Sequence, residues 1–197
     1  MGDRVRRGRE ADRRRRFGCG QSGCARVRGR MKLGGMLIRD ASEGDWAAIW
    51  PFMREIAAAG ETFSWDRDID EARARQRWFP APPGRTVVAV DDDGKVVGTA
   101  VSGPNHEGPA SHVATASFMV APGYAGRGAG RALGRHVLDQ AKADGFRAMQ
   151  FNAVVETNTR AVALWRSLGM EIAATLPEAF NHPQHGYVGL HVMYQRF

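Results

Sequence analysis

Cysteine is nearly absent from this chain of 197 residues: Cys19 and Cys24 are the only two, and both precede residue 36. A catalytic thiol is therefore excluded from everything after that point. A C-x4-C pair needs two further ligands to hold zinc, and the first histidine is His106, so no metal site is expected. No apolar run reaches the ~18 residues that a bilayer-spanning helix needs. The basic N-terminus is not followed by the apolar stretch of a secretory signal. The expectation is a cytoplasmic protein with neither metal nor membrane partner.

Excess charge is also missing from most of the chain. The formal net charge is +7, but residues 1–35 hold 12 basic against three acidic side chains, leaving 16 basic and 18 acidic in the rest. A body with a charge of −2 gives no footprint for nucleic acid. The Arg-rich leader, residues 1–35, has few large apolar residues and reads as disordered. It can be read as an arm for phosphates through Arg13 to Arg16. It can be read as a targeting segment, which Asp3, Glu10 and Asp12 fit poorly. The third reading, upstream sequence translated in error with Met36 the true start, is preferred together with a simple solvated tail.

What is present from Met36 onward is an alternation of strand and helix patterns. Met36–Arg39 is a short apolar strand. Ser42-Glu43-Gly44-Asp45 reads as a capping box for a helix whose apolar stripe includes Trp46, Ile49, Trp50, Met53 and Ile56. Trp46 and Trp50 are expected in the core, and Pro51 predicts a kink or break. Asp68 is the expected cap of a second helix ending near Phe79. Strands are predicted at 85–90, 96–101 and 112–120, the first two around the tight turn at 92–94. A helix over 128–144 carries Ala129, Ala132, Leu133, His136, Val137 and Ala141 on one face. Met149, Phe151, Ala153 and Val155 then alternate with Gln150 and Asn152 along a strand. Ala161, Leu164, Trp165 and Leu168 stripe a last helix closed by Gly169, and strands follow at 172–176 and 187–194. The fold class is α/β (α+β): one domain, 36–197, with a mixed central sheet of about seven strands and about four helices.

The informative stretch is Val120-Ala121-Pro122-Gly123-Tyr124-Ala125-Gly126-Arg127-Gly128-Ala129-Gly130-Arg131-Ala132-Leu133, where a strand enters a glycine-rich turn that opens a helix. Free N–H groups at a helix start attract a phosphate, and glycine lets the backbone approach it. Arg127 and Arg131 add charge-assisted donors. Two better-known phosphate loops are excluded. A Walker loop requires Lys-Ser/Thr after its last glycine, where Arg131-Ala132 stands. The dinucleotide fingerprint requires Gly or Ala where Leu133 or Arg131 stands. On glycine content alone, a plain turn and a phosphate cradle remain equal alternatives.

The stretch from Val120 to Leu133 resembles the acetyl-CoA pyrophosphate loop of GCN5-related N-acetyltransferases (GNAT). A second element, Asn158-Thr159-Arg160-Ala161-Val162-Ala163-Leu164-Trp165-Arg166-Ser167-Leu168-Gly169-Met170, is similar to the family's later motif. The two stand at the family's usual separation, with one strand between them. The resemblance implies the GNAT acyl-CoA N-acyltransferase fold and acetyl-CoA as co-substrate. It implies a cofactor site at Met119, Val120, Ala125, Gly126, Arg127, Gly128, Ala129, Gly130, Arg131, Asn158 and Trp165. Glu61-Thr62-Phe63 with Trp78-Phe79, and the segments at 179–183 and 186–188, resemble phosphinothricin-type and amino-acid-type members. Phe151-Asn152 with Asn158 is similar to fungal proline-analogue N-acetyltransferases. Two positions depart from the family: Ala125 where Gln or Arg is usual, and Trp165 where Tyr is proposed to protonate the leaving thiolate. A thiolate of pKa ~8.5 leaves without that help.

The implied reaction is direct transfer of acetyl to a primary or secondary amine of a small molecule in a ternary complex. Backbone N–H groups at Met119 and Val120 are the expected oxyanion donors. Glu61 is the expected base, and Asn152 and Phe63 the expected acceptor contacts. The alternative for Glu61 is an idle surface carboxylate; for Asn152 it is a satisfied structural amide. His136 is expected to be packed, with His182 and His185 as loop residues beside the pocket. A non-catalytic acetyl-CoA sensor or scaffold and a nucleic-acid-associated protein using the basic arm are the alternative functions. A homodimer is the expected assembly by analogy with relatives.

Overall fold

The computed structural model describes residues 31–33 and 35–197. Residues 1–30, on which most of the leader reading falls, lie outside the described residues. Eight strands form one sheet: β1 (Met31–Leu33), β2 (Met36–Asp40), β3 (Arg85–Val90), β4 (Val96–Pro104), β5 (Val113–Val120), β6 (Ala148–Val155), β7 (Glu171–His182) and β8 (Gly186–Arg196). Their order across the sheet is β1-β2-β3-β4-β5-β6-β8-β7. Every neighbouring pair is antiparallel except β5 and β6. The strand beyond the expected seven is β1, which pairs with β2 ahead of the boundary expected at Met36.

Four α-helices cover the sheet: α1 (Trp46–Ala59), α2 (Glu71–Trp78), α3 (Ala129–Ala143) and α4 (Thr159–Ser167). The period of two along β3 feeds two cores. Val87 and Ala89 pack with α3 and α4, while Val88 and Val90 pack with α1 and α2. The whole expected stripe of α3 is buried, His136 included. Trp46 is buried and donates its indole N–H to Glu71 at 2.7 Å.

Local chemistry explains where elements begin. The Asp45 carboxylate accepts from the Ser42 backbone N–H at 2.7 Å and from Arg39 at 2.7 and 2.8 Å. The Arg39 hydrogen bonds, against an opposing burial penalty, hold its carboxyl down to about 2. Between that box and α1 stands a single 3-10 turn, Glu43–Asp45. Pro51 does not end the helix: α1 runs through it. Pro51 and Ala47 are both exposed, so the carbonyl that loses its donor faces water. Asp70, not Asp68, caps α2, accepting from the Arg73 N–H at 2.8 Å.

The expected alternation along β6 also fails at one point. Phe151 and Val154 pair with Met193 and His191, three steps on one strand against two on the other. This bulge exposes Ala153 and buries Val154.

Candidate active site

Parallel strands β5 and β6 pair only at Val113–Ala148, Ala114–Met149 and Thr115–Gln150. Past that point they separate, while β4 stays paired with β5 through Val120 and β8 stays paired with β6 through Val155. The sheet therefore splits, and the split opens a cleft of about 900 Å³. Two aromatic groups lie along it. Phe118, Phe151 and Trp165 pack with ring centroids 4.6–5.5 Å apart on the α3/α4 face. Phe63, Trp65 and Trp78 do so at 5.3–6.1 Å on the α1/α2 face.

At one end of the cleft the glycine-rich turn opens α3. Gly126 and Gly128 have φ of +80° and +90°, values that a side chain adopts only under strain. Gly128 is the N-cap of α3. The N–H groups at the start of that helix have no carbonyl one turn earlier. Gly130 approaches α4, where a Cβ would stand 3.3 Å from Leu164. Asn158 caps α4, accepting from the Ala161 N–H at 3.2 Å, so a second helix start borders the cleft. The lining includes Arg131 and Arg160 and no aspartate or glutamate.

The geometry of β5 separates two residues expected to act together. The Ala121 N–H bonds to Val97 on β4 at 2.9 Å, and Met119 lies opposite Thr99. In this antiparallel register Met119 directs its N–H toward Thr99, and Val120 directs its own toward the split. The Val120 N–H is thus the donor that faces the opening. The Met119 side chain is buried beneath α1.

Other expected residues divide in the same way. Met119, Val120, Ala125, Gly126, Gly128, Gly130, Arg131, Asn158, Trp165, Phe63 and Asn152 line the cleft. Ala129 turns into the core. The Arg127 guanidinium lies 5.1 Å from the Tyr124 ring centroid, outside the lining. Glu61 stands one residue before the lining residue Thr62, and its carboxylate accepts from the Gln184 amide at 3.4 Å. His182 is buried at the end of β7, and neither it nor His185 reaches the cleft. Among the described residues, no three His, Cys, Asp or Glu side chains converge as a metal site. No helix among them is long and apolar enough to cross a membrane.

Several residues here were not read from the sequence. Asn152 donates to Asn105 at 2.7 Å and to Thr115 at 3.4 Å, and accepts from Gln150 at 2.8 Å. Asn105 is 47 positions away, and no local pattern announces it. Gly134 did carry a signal, as a lone glycine inside an apolar helical stripe. A Cβ there would lie 2.8 Å from both Trp165 and Leu168. Its absence lets α3 and α4 close behind the cleft.

The cleft thus runs through a split parallel pair and is bordered by two helix starts. Residues 50–170 match the Acetyltransferase (GNAT) family, and the chain belongs to that family. N-acetyltransferase aca1 of Schizosaccharomyces pombe is 31% identical over 119 residues. That match takes in 60% of this chain and 56% of that protein, so the chain matches little more than half of this curated relative's length. The structure of a GCN5-related N-acetyltransferase from Kribbella flavida superimposes with a TM-score of 0.80 at 56% identity. It covers 83% of this chain and 98% of that one. A phosphinothricin acetyltransferase from Sinorhizobium meliloti, solved in complex with acetyl-CoA, shares the fold at a TM-score of 0.75 and 24% identity. That alignment covers 83% of this chain and 89% of the other.

Proposed function

We propose that this chain transfers the acetyl group of acetyl-CoA to the amine of a small molecule, both substrates being bound together. The observation that carries the reading is the split between β5 and β6, with the glycine turn and α3 at one end. The diphosphate of the cofactor sits at the N–H groups that open α3, where the macrodipole and Arg131 favour negative charge. The pantetheine arm runs along the split beside Trp165.

The amine nitrogen attacks the thioester carbonyl carbon, forming the C–N bond. The oxyanion that develops accepts from the Val120 N–H. The nitrogen, cationic after attack, gives up its second proton to water as the C–S bond breaks, and coenzyme A leaves as a thiolate. Trp165 has no proton to give it, and solvent protonates it after departure. An ammonium of pKa ~10 must first lose a proton, and Glu61 accepts it through water at the cleft edge. Burial among aromatic side chains keeps the nucleophile and the thioester together, which supplies the proximity contribution.

Calorimetry with acetyl-CoA, followed by thiol-release assays with and without an amine panel, tests this reading. Binding plus amine-dependent release of coenzyme A is the expected result. Absence of acetyl-CoA binding by the folded chain overturns it.

A further inference from the structure

The loop between α1 and α2 carries Phe63 and Trp65, which line one side of the cleft with Thr62 and Ser64. Among the described residues, no backbone group of 61–65 hydrogen-bonds to other backbone. The one side-chain bond of this segment is the long contact from Gln184 to Glu61 at 3.4 Å. Ring packing therefore holds the wall. Phe63 and Trp65 meet edge to face at 5.3 Å, and both rest on Trp78, at 6.1 and 5.7 Å between centroids.

Trp78 does not line the cleft; it ends α2 and is fully buried behind the wall. Two strand threonines hold it. Its indole N–H donates to Thr99 Oγ1 at 2.9 Å, and the Thr99 hydroxyl donates in turn to the Val87 carbonyl at 2.9 Å. The Thr86 hydroxyl donates to the Trp78 carbonyl. Thr99 is itself fully buried on β4, directly opposite Met119 of β5, which lines the cleft from the sheet side. Valine has the same shape with no polar atom to desolvate, so a fully buried threonine is favoured only where its hydroxyl is used. Here the hydroxyl links the split sheet to the ring on which the loop wall rests.

We propose that Thr99 is a positioning residue for acetyl transfer: through Trp78 it sets the distance of the Phe63–Trp65 wall from β5, and so the space left for the acceptor amine. Without Thr99 Oγ1 the indole N–H is a buried donor with no partner, and the ring turns to find one. Phe63 and Trp65, with no backbone bonds to restrain them, follow the ring. Trp78 belongs to the α1/α2 core and α3 to the other, so the cofactor end of the cleft is left as it was. The proposal rests on the acetyl-transfer reading above.

Acetyl transfer by the full chain is measured with L-phenylalanine, phenethylamine, L-lysine and spermidine, beside calorimetric binding of acetyl-CoA and urea titrations. Thr99→Val should raise the KM of each amine that the parent turns over about tenfold, with kcat within about threefold. The Kd for acetyl-CoA should stay within about twofold. Thr99→Ser keeps the hydroxyl and should hold KM within about threefold of the parent. Trp78→Phe removes the same bond from its other side, and in that background Thr99→Val should add less than about twofold. A bond that serves stability alone lowers the urea midpoint and leaves KM at the parent value under native conditions, which overturns the inference. It is equally overturned if Thr99→Ser behaves as Thr99→Val, if the two substitutions multiply, if acetyl-CoA affinity falls in step with KM, or if neither Thr99→Val nor Trp78→Phe folds. Binding of acetyl-CoA with no transfer to any of the four removes the amine whose fit Thr99 would set, and overturns this inference alone. Loss of acetyl-CoA binding by the unaltered chain overturns the acetyl-transfer reading beneath it as well.

Discussion

The two ends of the cleft are built by different means. The α3 end is made of backbone: consecutive N–H groups at a helix start, and glycines at φ of +80° and +90°. The end toward Thr115 is made of side chains gathered from separate elements, with Thr115 on β5 and Asn152 on β6 joined to Asn105 after β4. A backbone site is compact in sequence and tolerates little substitution at its glycines. A side-chain site is dispersed, and each member can be altered alone.

That contrast predicts unequal sensitivity. Gly128→Val should be the most damaging change, because valine resists positive φ and its branch crowds the phosphate path. A loss of acetyl-CoA affinity of about 100-fold or more is expected by calorimetry, beside a stability cost of about 1–2 kcal/mol from the strained backbone. A loss under threefold would mean that the turn is not the phosphate cradle. Gly134→Val tests the packing behind the cleft rather than the cleft itself. With Trp165 and Leu168 at 2.8 Å from the added Cβ, overpacking should cost about 2–3 kcal/mol in a denaturant titration. An unchanged midpoint would show that α4 shifts freely.

Glu61→Gln addresses the side-chain end. At pH 7 it should lower kcat/KM for the amine about tenfold, and the deficit should shrink as pH rises toward the pKa of the amine. A deficit that is independent of pH would assign Glu61 a positioning role instead.

Two smaller effects concern the scaffold. Asp45→Asn should cost about 1 kcal/mol at pH 7, since it replaces one of the two oxygens that hold Ser42 and Arg39 by a donor and removes the charge paired with Arg39. Because the Asp45 carboxyl is depressed in the folded state to about 2, its contribution is whole above about pH 4 and lost as pH falls through 2. The variant and parent stabilities should therefore converge in acid. The His136 pKa is lowered first by burial, with Arg85 adding to that and Asp40 and Asp139 opposing it, and its Nδ1 has no hydrogen-bond partner among the described residues. A lowered histidine binds its proton better when unfolded, so its stabilising share is present above about pH 6.5 and declines below it. His136→Leu should flatten that decline in urea midpoints between pH 7 and 5. An unchanged slope would place the pH dependence elsewhere.

How far the sequence could be read follows the same division. The glycine turn, the stripes of α3 and α4 and the cap at Ser42 were legible because each is set by residues within one helical turn. The bulge in β6 was not: alternation placed Ala153 inside, whereas pairing with β8 turned it out. No break forms at Pro51, whose missing hydrogen bond falls on an exposed face where water can satisfy the carbonyl, and exposure is a tertiary property. Met119 and Val120 looked equivalent as neighbours until the register with β4 directed one N–H to Thr99 and the other to the split.

By itself the sequence determined the order of strands and helices, the backbone freedom of the glycine turn and the free N–H groups of the helix start that follows it. All of these depend on interactions between residues close along the chain. Only the tertiary structure decided that β5 and β6 part after Thr115 and that Asn105 meets Asn152. Those outcomes depend on which distant segments come to share a surface, and the free energy that settles it is spread over the whole core.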